Sequence, residues 1–198
     1  MVKRVLKNEI SRKVVHLSSA IIPLSYLYLV HNKDIMVMIL ATASLFAFMI
    51  ELLRKNNKNI KNLFNHWFGS MLRENESKGD LTGATWLLSG WTITTYSFEM
   101  IVAVPALMFL AIGDSFAAII GKLYPLGKIG RKTISGSLAG LIISFGIVLL
   151  ISNTLPPIVI LFGAFGAMLI ELLPLKINDN LTIPIFSGTI MVLVQKLI

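Results

Sequence analysis

Cysteine is absent from the chain, which excludes disulfides, thiolate metal sites and cysteine nucleophiles together. Charge is scarce as well: Asp, Glu, Lys and Arg make up 14% of the 198 residues, and only 10 of these side chains are acidic against 18 basic. With 55% hydrophobic residues and a mean hydropathy of +0.77, the chain has the composition of a protein whose main solvent is lipid. The net charge of +8 would suggest nucleic acid in a soluble protein, but here it reads as positive-inside bias and contact with acidic headgroups, so no nucleic-acid partner is expected. There is no long repeat, no low-complexity tract and no Walker A loop, which needs Gly-Lys-Ser/Thr after a strand. No small-residue cleavage site follows the first apolar run, so that run is expected to be retained rather than removed as a signal peptide.

What is present is a succession of apolar runs. They predict an all-α polytopic membrane protein, a single integral domain over 1–198, with about seven transmembrane helices at 14–30, 35–53, 81–96, 100–120, 135–151, 155–173 and 181–197. Between the second and third, Ile60, Leu63, Phe64, Trp67, Phe68, Met71 and Leu72 recur at helical spacing among Lys and Asn, predicting an interfacial amphipathic helix over about 58–72. Lys3, Arg4, Lys7, Arg12 and Lys13 precede the first span. Arg54, Lys55, Lys58, Lys61, Arg73 and Lys78 follow the second, Lys122, Lys128, Arg131 and Lys132 the fourth, and Lys176 the sixth. These alternate segments hold sixteen of the eighteen basic residues, leaving Lys33 and Lys196 for the other side. The expectation is a cytoplasmic N-terminus, an external C-terminus and an active site on the cytoplasmic face of the inner (plasma) membrane.

Within the fourth apolar run lies Asp114, about 9 Å short of its cytoplasmic end at the usual helical rise. A central Asp costs about 2.5 to 3.5 kcal/mol to insert, so a cation, a water-filled cavity or a metal is expected to offset it; an ion pair with a neighbouring helix would suffice. Gly113 beside it permits close approach of a backbone or a phosphate. The following segment, 121–140, combines glycines, four cations and three hydroxyls before the fifth span. Lys122, Lys128, Arg131 and Lys132 suit a polyphosphate, and Thr133, Ser135, Gly136 and Ser137 stand at a helix N-terminus, where the dipole favours anions. The spacing of Gly136 with Gly140, and of Gly163 with Ala167, also fits close helix packing.

Further polar groups fall at the same face. Glu51 opposes the helix dipole at the end of the second span, which an i,i+3 pair with Arg54 explains only in part. Glu171 ends the sixth span. Asn178, Asp179, Asn180 and Thr182 open the seventh, where capping accounts for one of the four. Arg12 and His16 share a helix face at the start of the first span, and Asp80 either caps the third span or joins the site.

These residues carry a resemblance. EISRKVVH (9–16), ELLR (51–54), GDLTGATW (79–86), GDSFAAIIGK (113–122), GRKTISGSLAG (130–140) and ELLPLKINDNLTIP (171–184) resemble, in order and over nearly the whole chain, the CTP-dependent polyprenol kinase family. That family groups dolichol kinase, phytol and farnesol kinases and the CTP-dependent diacylglycerol kinases. The phosphatidate cytidylyltransferases are similar over GDS and the Lys-Thr-x-x-Gly segment and make the nearest alternative; a non-enzymatic transporter with Asp114 as its ion site is the other. The kinases often carry Glu-Gly-Ser where this chain has Ser135, Gly136 and Ser137.

The resemblance implies transfer of the CTP γ-phosphate to the hydroxyl of a membrane lipid, a polyprenol, phytol-like isoprenoid alcohol or diacylglycerol, with Mg²⁺ as cofactor. Phosphoryl transfer asks for charge neutralisation and positioning more than covalent help. Asp114, Asp179 and Glu171 are the candidate metal carriers, since Mg²⁺ prefers carboxylates, water and phosphates. Lys122, Lys128, Arg131, Lys132, Thr133, Ser135, Gly136 and Ser137, with Asn178, Asn180 and Thr182, are the candidate nucleotide ligands. Asp114, Asp80, Arg12, His16, Glu51 and Arg54 are the candidate catalytic residues, with the general base open among Asp80, Glu51, Glu171 and Asp114. The partners expected are the nucleoside triphosphate, the lipid alcohol and membrane lipids; the sequence assigns no oligomeric state.

Overall fold

The computed structural model describes residues 11–175 and 177–198. Lys3, Arg4, Lys7 and Glu9, and Lys176, lie outside them. The described residues form an all-α fold with one small hairpin. In chain order the helices are α1 (Ser11–Val30), α2 (Lys33–Asn56), α3 (Lys58–Phe68), α4 (Glu74–Lys78), α5 (Gly83–Ser97) and α6 (Met100–Leu123). Strands β1 (Lys128–Ile129) and β2 (Lys132–Thr133) follow, then α7 (Ile134–Ile151), α8 (Pro157–Leu172) and α9 (Asp179–Gln195).

Four of these helices, α1, α2, α6 and α7, are long and apolar enough to cross a bilayer. At 1.5 Å per residue, the 24 residues of α2 reach about 36 Å, more than the ~30 Å of a hydrocarbon core. The apolar α8 has 16 residues, held short by Pro156 before its first turn and Pro174 after its last; α5 has 15 and α9 has 17. Every predicted apolar run is thus a helix, with ends within a few residues of expectation. The amphipathic segment is a helix over a shorter stretch than expected: α3 is capped by Asn57, whose side chain accepts from the Asn59 and Ile60 amides, and it ends at Phe68, so Met71 and Leu72 lie in the connection beyond it.

α6 is the centre of the molecule. In its most apolar stretch 78% of residues are buried, against 17% in α1 and in α2. The sequence explains this, because residues 101–121, Asp114 and Ser115 apart, are apolar on every side and rich in Ala and Gly. Pro105 lies inside the helix and lacks the N–H for the usual intrahelical bond. Four residues later the helix widens into a π turn, Phe109–Asp114. Such turns displace side chains from the regular α register, and this one ends on Asp114.

Backbone contact fixes α7 on α6. A Cβ at Gly136 would stand 2.3 Å from the Ala117 carbonyl oxygen, and one at Gly140 would stand 2.6 Å from that of Gly113. The small-residue spacing therefore serves close packing, and Gly136 faces α6. Residues 121–140, read from sequence as one loop before a helix, contain the antiparallel β1–β2 pair, with Lys128 opposite Thr133 and Ile129 opposite Lys132. Gly130, at a φ of 59°, supplies the left-handed residue of that turn.

Candidate functional site

The start of α1, the end of α2, the start of α5, the end of α6, the start of α7, the end of α8 and the start of α9 meet at one end of the bundle. Side-chain bonds between them bring the charges of the sequence into three groups.

The first surrounds Asp114, which is buried. Lys13 Nζ lies 2.5 Å from Asp114 Oδ2 and donates also to the Asp114 carbonyl at 3.3 Å. His16 Nε2 approaches the same Oδ2 at 3.4 Å. Ser115 Oγ donates to the Ala111 carbonyl at 2.7 Å. The π turn thus offers both a carboxylate and backbone groups to one face of α1. The cation that Asp114 demanded is Lys13, which entered the sequence reading only as a topological charge. Its i,i+3 spacing from His16 was the available signal. Arg12, half-buried, feels the charges of Arg73, Glu76 and Asp114.

The second group centres on Lys132. Its ammonium lies 2.7 Å from Asp179 Oδ2 and 3.1 Å from Glu171 Oε1, and it donates to the Glu171 carbonyl. Ser137 Oγ donates to Glu171 Oε2 at 2.9 Å. β2 presents Lys132, α7 presents Ser137, and the ends of α8 and α9 present the carboxylates. Burial works to lower the Lys132 ammonium, but Glu171 and Asp179 together outweigh it and raise it above the ordinary lysine value. Asp114 is near enough to act electrostatically on both Lys132 and Glu171, so the first two groups form one charged basin.

The third group is a clasp. Arg54 Nη2 lies 2.5 Å from Glu51 Oε2 and donates to the Asp80 carbonyl at 3.1 Å, while Glu51 Oε1 accepts from the Thr82 amide at 3.0 Å and Thr85 Oγ1 at 3.2 Å. Glu76, absent from the candidates, accepts from the Arg73 amide at 2.8 Å and the Gly83 amide at 3.1 Å. Two carboxylates thus face the N-terminus of α5, where its dipole favours them. Thr82 is the N-cap residue of α5; Asp80, expected as a possible cap, is exposed and joins the clasp through its carbonyl.

The remaining candidates divide by position. Thr133 caps α7 by accepting from the Gly136 amide at 3.1 Å, and Ser135 Oγ donates to the Tyr124 carbonyl at 2.5 Å. Asn178 caps α9 through the Asn180 amide at 3.0 Å, while Asn180 Nδ2 donates to the Gly83 carbonyl at 2.8 Å, joining α9 to α5. Thr182 Oγ1 is buried without a hydrogen-bond partner among the described residues. Lys122, Lys128 and Arg131 are exposed on and beside the hairpin.

Among the described residues no three His, Asp or Glu side chains converge as a metal site. Mg²⁺ asks for less, binding through one or two carboxylates with water and phosphate oxygens. Glu171 and Asp179 already converge on a single cation, the Lys132 ammonium, so the donor set suits a divalent ion delivered with a nucleotide. Asp114, the third carboxylate considered from sequence, is held by Lys13.

The chain is 26% identical over 185 residues to an uncharacterized protein of Rickettsia prowazekii, an alignment covering 89% of this chain and 90% of that one. It is 31% identical over 140 residues, 68% of its length, to CTP-dependent diacylglycerol kinase 1 of Saccharomyces cerevisiae, of which the alignment covers 47%. It therefore spans about half the length of that kinase. No family model matches the chain, and no solved structure matches it. The likeness is that of a distant relative.

Proposed function

We propose that this chain is a CTP-dependent lipid kinase of the polyprenol and diacylglycerol kinase type. The observation that carries the reading is the likeness to the yeast CTP-dependent diacylglycerol kinase over 68% of the chain. The charged basin supports it, because it gathers the ingredients of phosphoryl transfer at one end of an apolar bundle. In this reading α5, α8 and α9 join the four longer helices as spans, making seven, with the N-terminus and the basin in the cytoplasm, the C-terminus outside and the inner membrane as the site. A soluble nucleotide and the head of a lipid alcohol would then meet at the headgroup boundary.

The lipid hydroxyl oxygen attacks the γ-phosphorus in line, the bond to the β,γ-bridging oxygen breaks, and CDP leaves. Lys122 at the end of α6 and Lys128 and Arg131 on the hairpin, with Lys132, would neutralise the triphosphate, and the Thr182 hydroxyl would bond it. Glu171 and Asp179 would hold Mg²⁺, which when bound supplies charge neutralisation across the phosphates. We assign the hydroxyl proton to Asp114 on position: it is the buried carboxylate at the centre of the basin, and His16 stands 3.4 Å away to take part in its release. Arg12, on the same helix face, would orient the transferring group. Glu51 and Arg54 act as positioning residues, because their polar atoms are engaged with α5 and Asp80.

The test is purified protein with Mg²⁺, diacylglycerol or isoprenoid alcohols, and CTP labelled at the α or the γ phosphorus. Label from the γ position in the lipid is the expected result. Label from the α position would make the protein a cytidylyltransferase, and no labelled lipid from any acceptor would sink both readings.

A further inference from the structure

The most conspicuous surface outside the basin is α3. Leu63 and Trp67 are 62% and 70% exposed, and Phe68 and Leu52 beside them are exposed too, so the apolar face of α3 continues the lipid-facing surface at the end of α2. Phe64, on the inner edge of that face, lies under the Arg54 guanidinium, 4.8 Å from the ring centroid, and 5.0 Å from the Phe68 ring. The helix is thereby pinned to the clasp on one side and open on the other.

Its charge is equally one-sided. From Arg54 to Arg73 the chain carries Arg54, Lys55, Lys58, Lys61 and Arg73 and no acidic residue. Lys58 and Lys61 stand in the first turn of α3, where the helix dipole disfavours cations, so local helix electrostatics does not account for them. A soluble protein partner would need only the apolar stripe. Cations flanking a Trp-bearing apolar stripe match a surface that is hydrocarbon below and anionic above.

We propose that α3 is a docking surface for anionic lipid headgroups, lying along the bilayer face beside the charged basin with Leu63 and Trp67 in the acyl boundary and Lys55, Lys58 and Lys61 among the phosphates. The proposal rests on the membrane reading of the chain and not on the kinase reading. Its test needs no turnover, so the two fail separately.

The lack of native cysteine makes single spin labels unambiguous. Leu63→Cys, Trp67→Cys, Asn62→Cys and His66→Cys are labelled one at a time in the full chain, which is reconstituted in phosphatidylcholine vesicles with and without phosphatidylglycerol. Collision with oxygen and with a nickel chelate reports depth. In acidic vesicles the labels at positions 63 and 67 should favour oxygen and those at the exposed polar positions 62 and 66 should favour nickel. Each lysine near an acidic surface strengthens docking roughly fivefold. Lys58→Gln with Lys61→Gln should therefore weaken it by about 25-fold, an effect that high salt reproduces. Equal nickel access at all four positions would overturn the proposal in favour of a water-facing or protein-docking helix. Periodic depth that ignores lipid charge and both lysines would overturn it in favour of apolar insertion alone.

Discussion

The bundle holds two kinds of charged cluster at the same end, and they differ in what is left over. In the Glu51–Arg54 clasp both residues are buried, and each carboxylate oxygen already has a partner within the chain. In the Lys132–Glu171–Asp179 group the side chains of Lys132 and Asp179 remain 26% and 29% exposed, and the partners come from three helix ends and a hairpin. A carboxylate at the end of an apolar helix is therefore no mark of a reaction site by itself. Saturation distinguishes the two: a cluster whose valences are closed fastens helices, and one open on a side can exchange a partner for a ligand.

Asp114→Asn should have the largest effect, because in the proposed reaction this carboxylate takes the proton and it also holds Lys13. It removes the anion of a buried pair, which costs about 3–5 kcal/mol of stability, and transfer of label from γ-labelled CTP should fall to background. Glu51→Ala should cost a similar stability, seen as a lowered melting temperature, while transfer per folded molecule changes less than about tenfold. A loss of over ~100-fold at full folding would erase the contrast between clasp and basin. Asp179→Asn should show the reverse, at least ~100-fold lower transfer, or about 2.7 kcal/mol of barrier, with melting nearly unchanged.

Two smaller effects sharpen the same division. Ser44→Ala breaks the 3.0 Å bond to Ser89 that joins α2 to α5 just above the clasp, and should cost about 1 kcal/mol in denaturant unfolding without altering transfer. The pH dependence has a definite sign. Lys132 has a folded value raised above the ordinary 10.5, so its contribution to stability is fully present below that value and is lost only as pH climbs through the folded one. Melting measured from neutral pH to about 9 should show a constant wild-type advantage over Lys132→Gln, and that advantage should fade only in stronger alkali.

Much of this arrangement was legible in the chain. Apolar runs marked each long helix, and the 3.6-residue recurrence of Ile60, Leu63, Phe64 and Trp67 marked α3. The cost of Asp114 required a partner before one was in view. The partner itself was hidden, because Lys13 competes with neighbouring Arg12 and only the approach of α1 to the π turn selects it. That turn leaves no compositional trace beyond Pro105 four residues upstream. Glu76 leaves no signal in the sequence, because it lies in a polar connection, where a carboxylate needs no explanation until the Gly83 amide is seen against it. Arg54 and Glu51 were recognised as paired, but their saturation depends on Thr82 and Thr85, thirty residues on in a helix whose register no local pattern reports.

The hydrogen side chains of Gly113 and Gly140 have a consequence for how a long-tailed molecule is handled. Backbone meets backbone at the height of Asp114, with Met168 against the same spot, so no hydrocarbon passes between α6 and α7 there. In the proposed reaction the tail would instead lie outside that seam, and recognition would be split between two solvents: the protein would read the head, and the bilayer would accommodate whatever length follows.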